Sequence, residues 1–227
     1  MKSKTIFWLN VVFITAIFVL NYFYQRVDFD FTLKCITSSV FALLGVTNLS
    51  YSLFIKAEHG RGYSLAMTAG LILAFLGDVF IVFNFIAGAA LFALAHICFV
   101  CSYAYIRRFC RGDFILGAFI FALTFAFLNL YPYFDFSSVL IKLVCIFYGF
   151  IISFMLGKAI YNFISGKSIL NFTVFIASVL FYFSDLMLVL GRFANAGQWA
   201  SHLCMATYYP AVSLLALSVY INIKNNS

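Results

Sequence analysis

The 227-residue chain is 65% hydrophobic, 21% aromatic and only 9% charged, with a mean hydropathy of +1.07. A soluble domain of this length needs far more charge to cover its surface, so these values exclude one and leave a polytopic membrane protein. The formal charge of +7 does not point to nucleic acid as a partner, because Lys and Arg fall between apolar runs and build no basic face.

A bilayer core of about 30 Å takes about 20 apolar residues per helix. Eight stretches meet that length: residues 5–24, 31–55, 63–83, 85–106, 114–131, 138–164, 169–191 and 198–223, with only Pro132 and Pro210 as interruptions. The expected fold class is all-α, a polytopic membrane bundle of eight transmembrane helices forming one integral domain, residues 1–227. The first stretch follows Lys2 and Lys4 like a signal sequence. Its apolar part is too long and lacks a small-residue cleavage site, so it is expected to stay attached.

Eight crossings put both termini on one side. That side collects Lys2, Lys4, Lys56, Arg61, Arg107, Arg108, Arg111, Lys158, Lys167 and Lys224, against Arg26, Lys34, Lys142 and Arg192 opposite. The excess predicts cytoplasmic termini, in a bacterial inner membrane.

The third and fourth stretches, residues 66–105, carry the first functional candidates. A carboxylate in hydrocarbon costs at least a few kcal/mol, so Asp78 is a candidate by its depth alone. Ala66, Gly70, Ala74 and Asp78 recur every fourth residue, a small-residue stripe suited to helix packing, so the acid is expected to face the bundle. Ala89, Ala93, His96 and Tyr103 form a comparable stripe on the next helix. Asp185 repeats the pattern in the seventh stretch, with Ser178, Tyr182 and Arg192 on its face. His202, Tyr209 and Ser213 line the last. Both acids lie roughly 10 Å below the same surface at 1.5 Å per residue.

Gly77-Asp78 and Ser184-Asp185 stand 107 residues apart, His96 and His202 106, and Lys34 and Lys142 108. The period points to two parallel four-helix repeats, residues 1–112 and 113–227. The six cysteines lie mostly within apolar runs and read as small hydrophobes. Cys98 and Cys101 follow His96 at helical spacing, but no second cluster completes a tetrahedral set, so neither a metal nor another cofactor is expected.

Two acids at one depth in a low-dielectric interior cannot both ionise cheaply, so the pair is expected to share a proton. That division suits reactions through an oxocarbenium-like state, where one carboxyl donates a proton and the other steadies positive charge or activates water. His96 can orient an acid or simply join helices, and His202 sits near the membrane edge. Tyr208 and Tyr209 can donate hydrogen bonds, although adjacent residues on a helix point apart. Lys34 and Arg192 can bind a lipid phosphate or snorkel to the interface.

These residues resemble a known family, the YhhN-like lysoplasmalogenases. The resemblance rests on Gly77-Asp78-Val79, Gly88, Phe92, Ala95-His96 and Phe99, on Ser184-Asp185 with Arg192-Phe193, on Thr207-Tyr208-Tyr209, and on Lys34. The chain departs from the family pattern at Cys35, Ala74 and Gly191, where proline, serine and asparagine are usual. The resemblance implies a multi-pass membrane hydrolase that cleaves the vinyl ether of a lysophospholipid substrate to a fatty aldehyde and a glycerophospho-alcohol. On that reading Asp78 and Asp185 act as acid and base, His96 and Tyr209 orient them, and Lys34 and Arg192 hold the phosphate. Replacing either acid by Asn is then expected to stop turnover and leave a folded protein. Tyr208 and His202 join the substrate-binding candidates. The rival expectation is a small-solute or lipid transporter, since paired acids in repeat halves also describe ion pathways.

Overall fold

The computed structural model describes residues 3–27, 29–55 and 60–226. Lys2 and Lys56, two of the charges in the sidedness count, lie outside the described residues. Over the described residues the chain is an all-α polytopic bundle of eight helices: α1 (Ser3–Arg26), α2 (Phe31–Phe54), α3 (Arg61–Phe83), α4 (Phe85–Ile106), α5 (Arg111–Leu130), α6 (Val139–Ser165), α7 (Ile169–Phe193) and α8 (Gln198–Asn226). All eight are long and apolar enough to cross a membrane, and a helix is the form that satisfies backbone groups along its own length in hydrocarbon.

Local chemistry sets the helix starts. The side chains of Asp30, Asn84, Ser138 and Ser168 accept hydrogen bonds from the backbone N–H three residues on, opening α2, α4, α6 and α7. At α5 the Asp113 carboxylate accepts from the Cys110 N–H at 2.8 Å, so the helix begins at Arg111, earlier than hydropathy alone predicts. Pro210 lies inside α8 without ending it.

Asn84 alone connects α3 to α4, closing a tight hairpin near the surface opposite the termini. The two helices touch so closely that a Cβ on Gly88 would stand 2.4 Å from the Ile81 Cα, and one on Gly70 2.4 Å from the Phe99 ring. The small-residue stripe of α3 therefore receives the aromatic rings of α4. α8 packs against α1, α2, α3 and α7, while α6 packs against α4, α5 and α7. Side-chain hydrogen bonds pin these contacts: Asn10 to Asn48 between α1 and α2, Tyr63 to Ser218 between α3 and α8, and Tyr103 to Ser178 between α4 and α7.

Lys158 belongs to the sidedness count, where it reads as a flanking charge. It is instead buried, 1% exposed, with its Nζ 2.9 Å from Asp113 near the surface that carries the termini.

Candidate functional site

Asp78 lies on the face of α3 that meets α2 and α8, and is 3% exposed. Its Oδ1 is 3.6 Å from the Lys34 ammonium. Its Oδ2 accepts hydrogen bonds from the Ser38 hydroxyl at 2.6 Å and the Tyr208 hydroxyl at 2.8 Å. Lys34 and Ser38 sit one turn apart on α2, which is why both reach one carboxylate. Ser38 also lies 3.3 Å from the Tyr209 hydroxyl. The adjacent tyrosines thus both serve this cluster, one directly and one through Ser38, because α2 and α3 flank α8 closely enough for neighbouring residues to reach the same group.

Asp185 is held differently. Its Oδ2 accepts from the Tyr148 hydroxyl at 2.6 Å, and the His96 Nε2 stands 3.4 Å from the same oxygen. His96 Nε2 and the Tyr148 oxygen are 2.7 Å apart. Because Tyr148 donates its only proton to Asp185, its oxygen accepts from His96, which places a proton on Nε2. His96 Nδ1 is buried with no hydrogen-bond partner among the described residues. The result is a chain of donors, His96 to Tyr148 to Asp185, contributed by α4, α6 and α7.

The two acids occupy separate networks. No hydrogen bond joins them among the described residues, and the Phe181 ring stands between, 4.7 Å from the His96 ring and 5.2 Å from the Tyr208 ring. Tyr208 and Cys204 nevertheless lie within electrostatic reach of both carboxylates. Their surroundings also differ. Asp185, its side chain 13% exposed, borders a space of about 20 Å³ with Phe85, Phe92, Tyr148 and Leu188, large enough for one water molecule. Lys34 borders a wider pocket of about 300 Å³ with Arg192, Tyr24 and Ser201, open toward the surface opposite the termini.

Of the residues expected from the sequence, Lys34, Asp78, Tyr208 and Tyr209 come together, as do His96 and Asp185. Arg192 is exposed, its guanidinium 5.4 Å over the Phe85 ring that closes the Asp185 space. His202 is apart from both acids, with Nδ1 3.1 Å from the Gln25 side chain and its ring against Phe29. Tyr182, expected beside Asp185, bonds instead to Thr124 on α5 at 2.6 Å. Ser38 and Tyr148 escaped the sequence reading. Ser38 carried a signal, its position one turn after Lys34. Tyr148 carried none. Among the described residues, no three His, Cys, Asp or Glu side chains gather closely enough to hold a metal ion.

No curated protein and no solved structure matches the chain. The profile of the YhhN family matches residues 29–219, from the loop before α2 to the last turns of α8, and so takes in every residue of both acid networks. The chain belongs to the YhhN family.

Proposed function

We propose that this membrane protein is a lysoplasmalogenase-like ether hydrolase, which adds water across the vinyl ether of a single-chain glycerophospholipid. The observation that carries the reading is the His96–Tyr148–Asp185 chain of donors ending beside a water-sized space, with a second carboxylate held close by. Membership of the YhhN family supports the same activity.

The chemistry runs through Asp185. Its carboxyl gives a proton to the vinyl carbon one removed from the ether oxygen, the double-bond electrons forming the new C–H bond. The ether oxygen's lone pair meets the positive charge left on its neighbouring carbon, giving an oxocarbenium ion. A water in the space beside Asp185 adds its oxygen to that carbon and returns a proton to the carboxylate. The hemiacetal then collapses: the bond to the glycerol oxygen breaks, that oxygen takes a proton, and the hydroxyl loses one to become the aldehyde carbonyl. One water is consumed, and Asp185 ends protonated as it began. Tyr148 and His96 orient the carboxyl throughout.

This assignment differs from an even division of acid and base between two aspartates, because the networks are not equivalent. Asp78 is committed to Lys34, Ser38 and Tyr208, so its role is a fixed negative charge that steadies the oxocarbenium ion. Lys34 and the exposed Arg192 face the outer pocket and hold the phosphate. The termini are cytoplasmic on this reading, which opens that pocket to the outer leaflet.

The test is aldehyde release from a 1-hexadecenyl lysophospholipid by purified protein in detergent, run in deuterated water. The reading predicts fatty aldehyde with one deuterium on the carbon next to the carbonyl. Folded protein that releases no aldehyde, yet moves the lipid or a solute across sealed vesicles, would instead establish the carrier.

A further inference from the structure

The water-sized space beside Asp185 is the end of something longer. It shares Ala89, Val144 and Tyr148 with a cavity of about 580 Å³ between α4 and α6. That cavity shares Ile97, Phe147 and Ile151 with a third, of about 460 Å³, bounded by α4, α5 and α6. Joined, they form one groove along α4 from Ala89 to Cys101, roughly 18 Å long at 1.5 Å per residue. Apolar side chains line it between its ends, and its flank is open to the bilayer, where Leu94, Ile97 and Phe147 are 50%, 45% and 65% exposed.

The two ends are bounded by different groups. At one stand Asp185 and Tyr148, within reach of a reacting group. At the other stands the buried Asp113–Lys158 pair, its ammonium also donating to the Arg108 carbonyl at 3.2 Å and lying 4.9 Å over the Phe109 ring. Methylene groups cannot replace those contacts, and separating a buried ion pair is strongly unfavourable, so the apolar length stops there.

We propose that this groove takes the hydrocarbon tail of a single-chain ether lipid sideways from the bilayer, and that the Asp113–Lys158 pair is the stop that sets the longest tail accepted. The inference rests on the function proposed above and names where its substrate lies. The ether is then at Asp185, with the headgroup beyond it toward Arg192. Continuity with the Asp185 space distinguishes the groove from the rest of the lipid-facing surface.

Ile97 lines both larger cavities and is half-exposed, so Ile97→Trp narrows the groove without entering the core. Leu123 on α5 is 56% exposed and lines none of these cavities, which makes Leu123→Trp the control. With 1-hexadecenyl and 1-octenyl lysophospholipids, Ile97→Trp should lower kcat/KM about tenfold for the long chain and leave the short one near wild type, because only the long chain loses buried methylenes. Leu123→Trp should change neither. An equal effect on both chains, or none on the long one, overturns the groove.

A second readout needs no turnover. A saturated alkyl lysophospholipid brominated in mid-chain should quench the added fluorescence of Ile97→Trp well beyond that of Leu123→Trp. Equal quenching would mean ordinary boundary lipid and overturn the proposal. Should the wild type hydrolyse no vinyl ether, the functional reading falls, while the quenching contrast still decides the groove.

Discussion

Asp78 stands five residues before the end of α3 and Asp185 eight before the end of α7, and they are built for different work. Asp78 has both oxygens engaged, one by the Lys34 ammonium and one by two hydroxyls, and is 3% exposed. Asp185 has one oxygen engaged by a tyrosine that is itself tied to a histidine, and borders a space for water. A carboxylate with an ammonium beside one oxygen and two hydroxyls on the other is placed as a fixed charge. One with an oxygen that has no partner among the described residues, at the end of a chain of donors, is placed to exchange a proton. Similar position in the sequence therefore does not mean an equivalent role.

The comparison is sharpened most by Asp185→Asn. It should lower turnover about a thousandfold, the scale of general acid and base catalysis, while the amide oxygen still accepts from Tyr148 and the melting temperature stays near wild type. Turnover within tenfold of wild type would break the distinction between the acids. Asp78→Asn should show the opposite emphasis. Removing the carboxylate leaves Lys34 buried without its counter-charge, a cost of about 3 kcal/mol, seen as a clear drop in melting temperature in detergent. A well-folded Asn variant is therefore expected of Asp185 and not of Asp78.

Smaller changes probe the partners. Tyr148→Phe removes the hydroxyl that His96 and Asp185 share and should lower kcat about tenfold with little change in KM, because the tyrosine orients the acid and does not hold the headgroup. Tyr208→Phe removes one of two hydroxyl donors to Asp78 and should cost about 1 kcal/mol of stability with only a minor loss of rate. His202→Ala, whose ring bonds to Gln25 and to neither acid, should leave the rate unchanged in the same assay.

What the sequence made legible follows from what the bilayer demands. The length and hydropathy of each span are set by the hydrocarbon it must cross, so eight helices and most of their ends could be read directly. The start of α5 could not, because it depends on Asp113 capping its own helix rather than on hydropathy. Asp78, Asp185 and His96 stood out because polar groups are rare in such segments. Tyr148 did not, being one of 14 tyrosines in a chain rich in aromatic residues. Its role arises from tertiary pairing with residues 52 and 37 positions away. Lys158 was masked by its place near a helix end, where a lysine ordinarily reaches water. The separation of the two acids by Phe181 was equally hidden, since periodicity gives the face of a helix and not what stands between two faces.

The central claim is that Asp185 transfers the proton and that Asp78 serves as a charge balanced by Lys34. Its most direct test sets aldehyde release by Asp185→Asn against that of the double variant Lys34→Met with Asp78→Asn, which removes both members of the buried pair together. The account predicts that the double variant folds like wild type and keeps measurable turnover, with kcat reduced about a hundredfold by loss of the fixed charge and KM raised by loss of the Lys34 contact to the phosphate. Asp185→Asn should fall well below it. A double variant without activity beside an active Asp185→Asn would contradict the account and move the proton chemistry to Asp78.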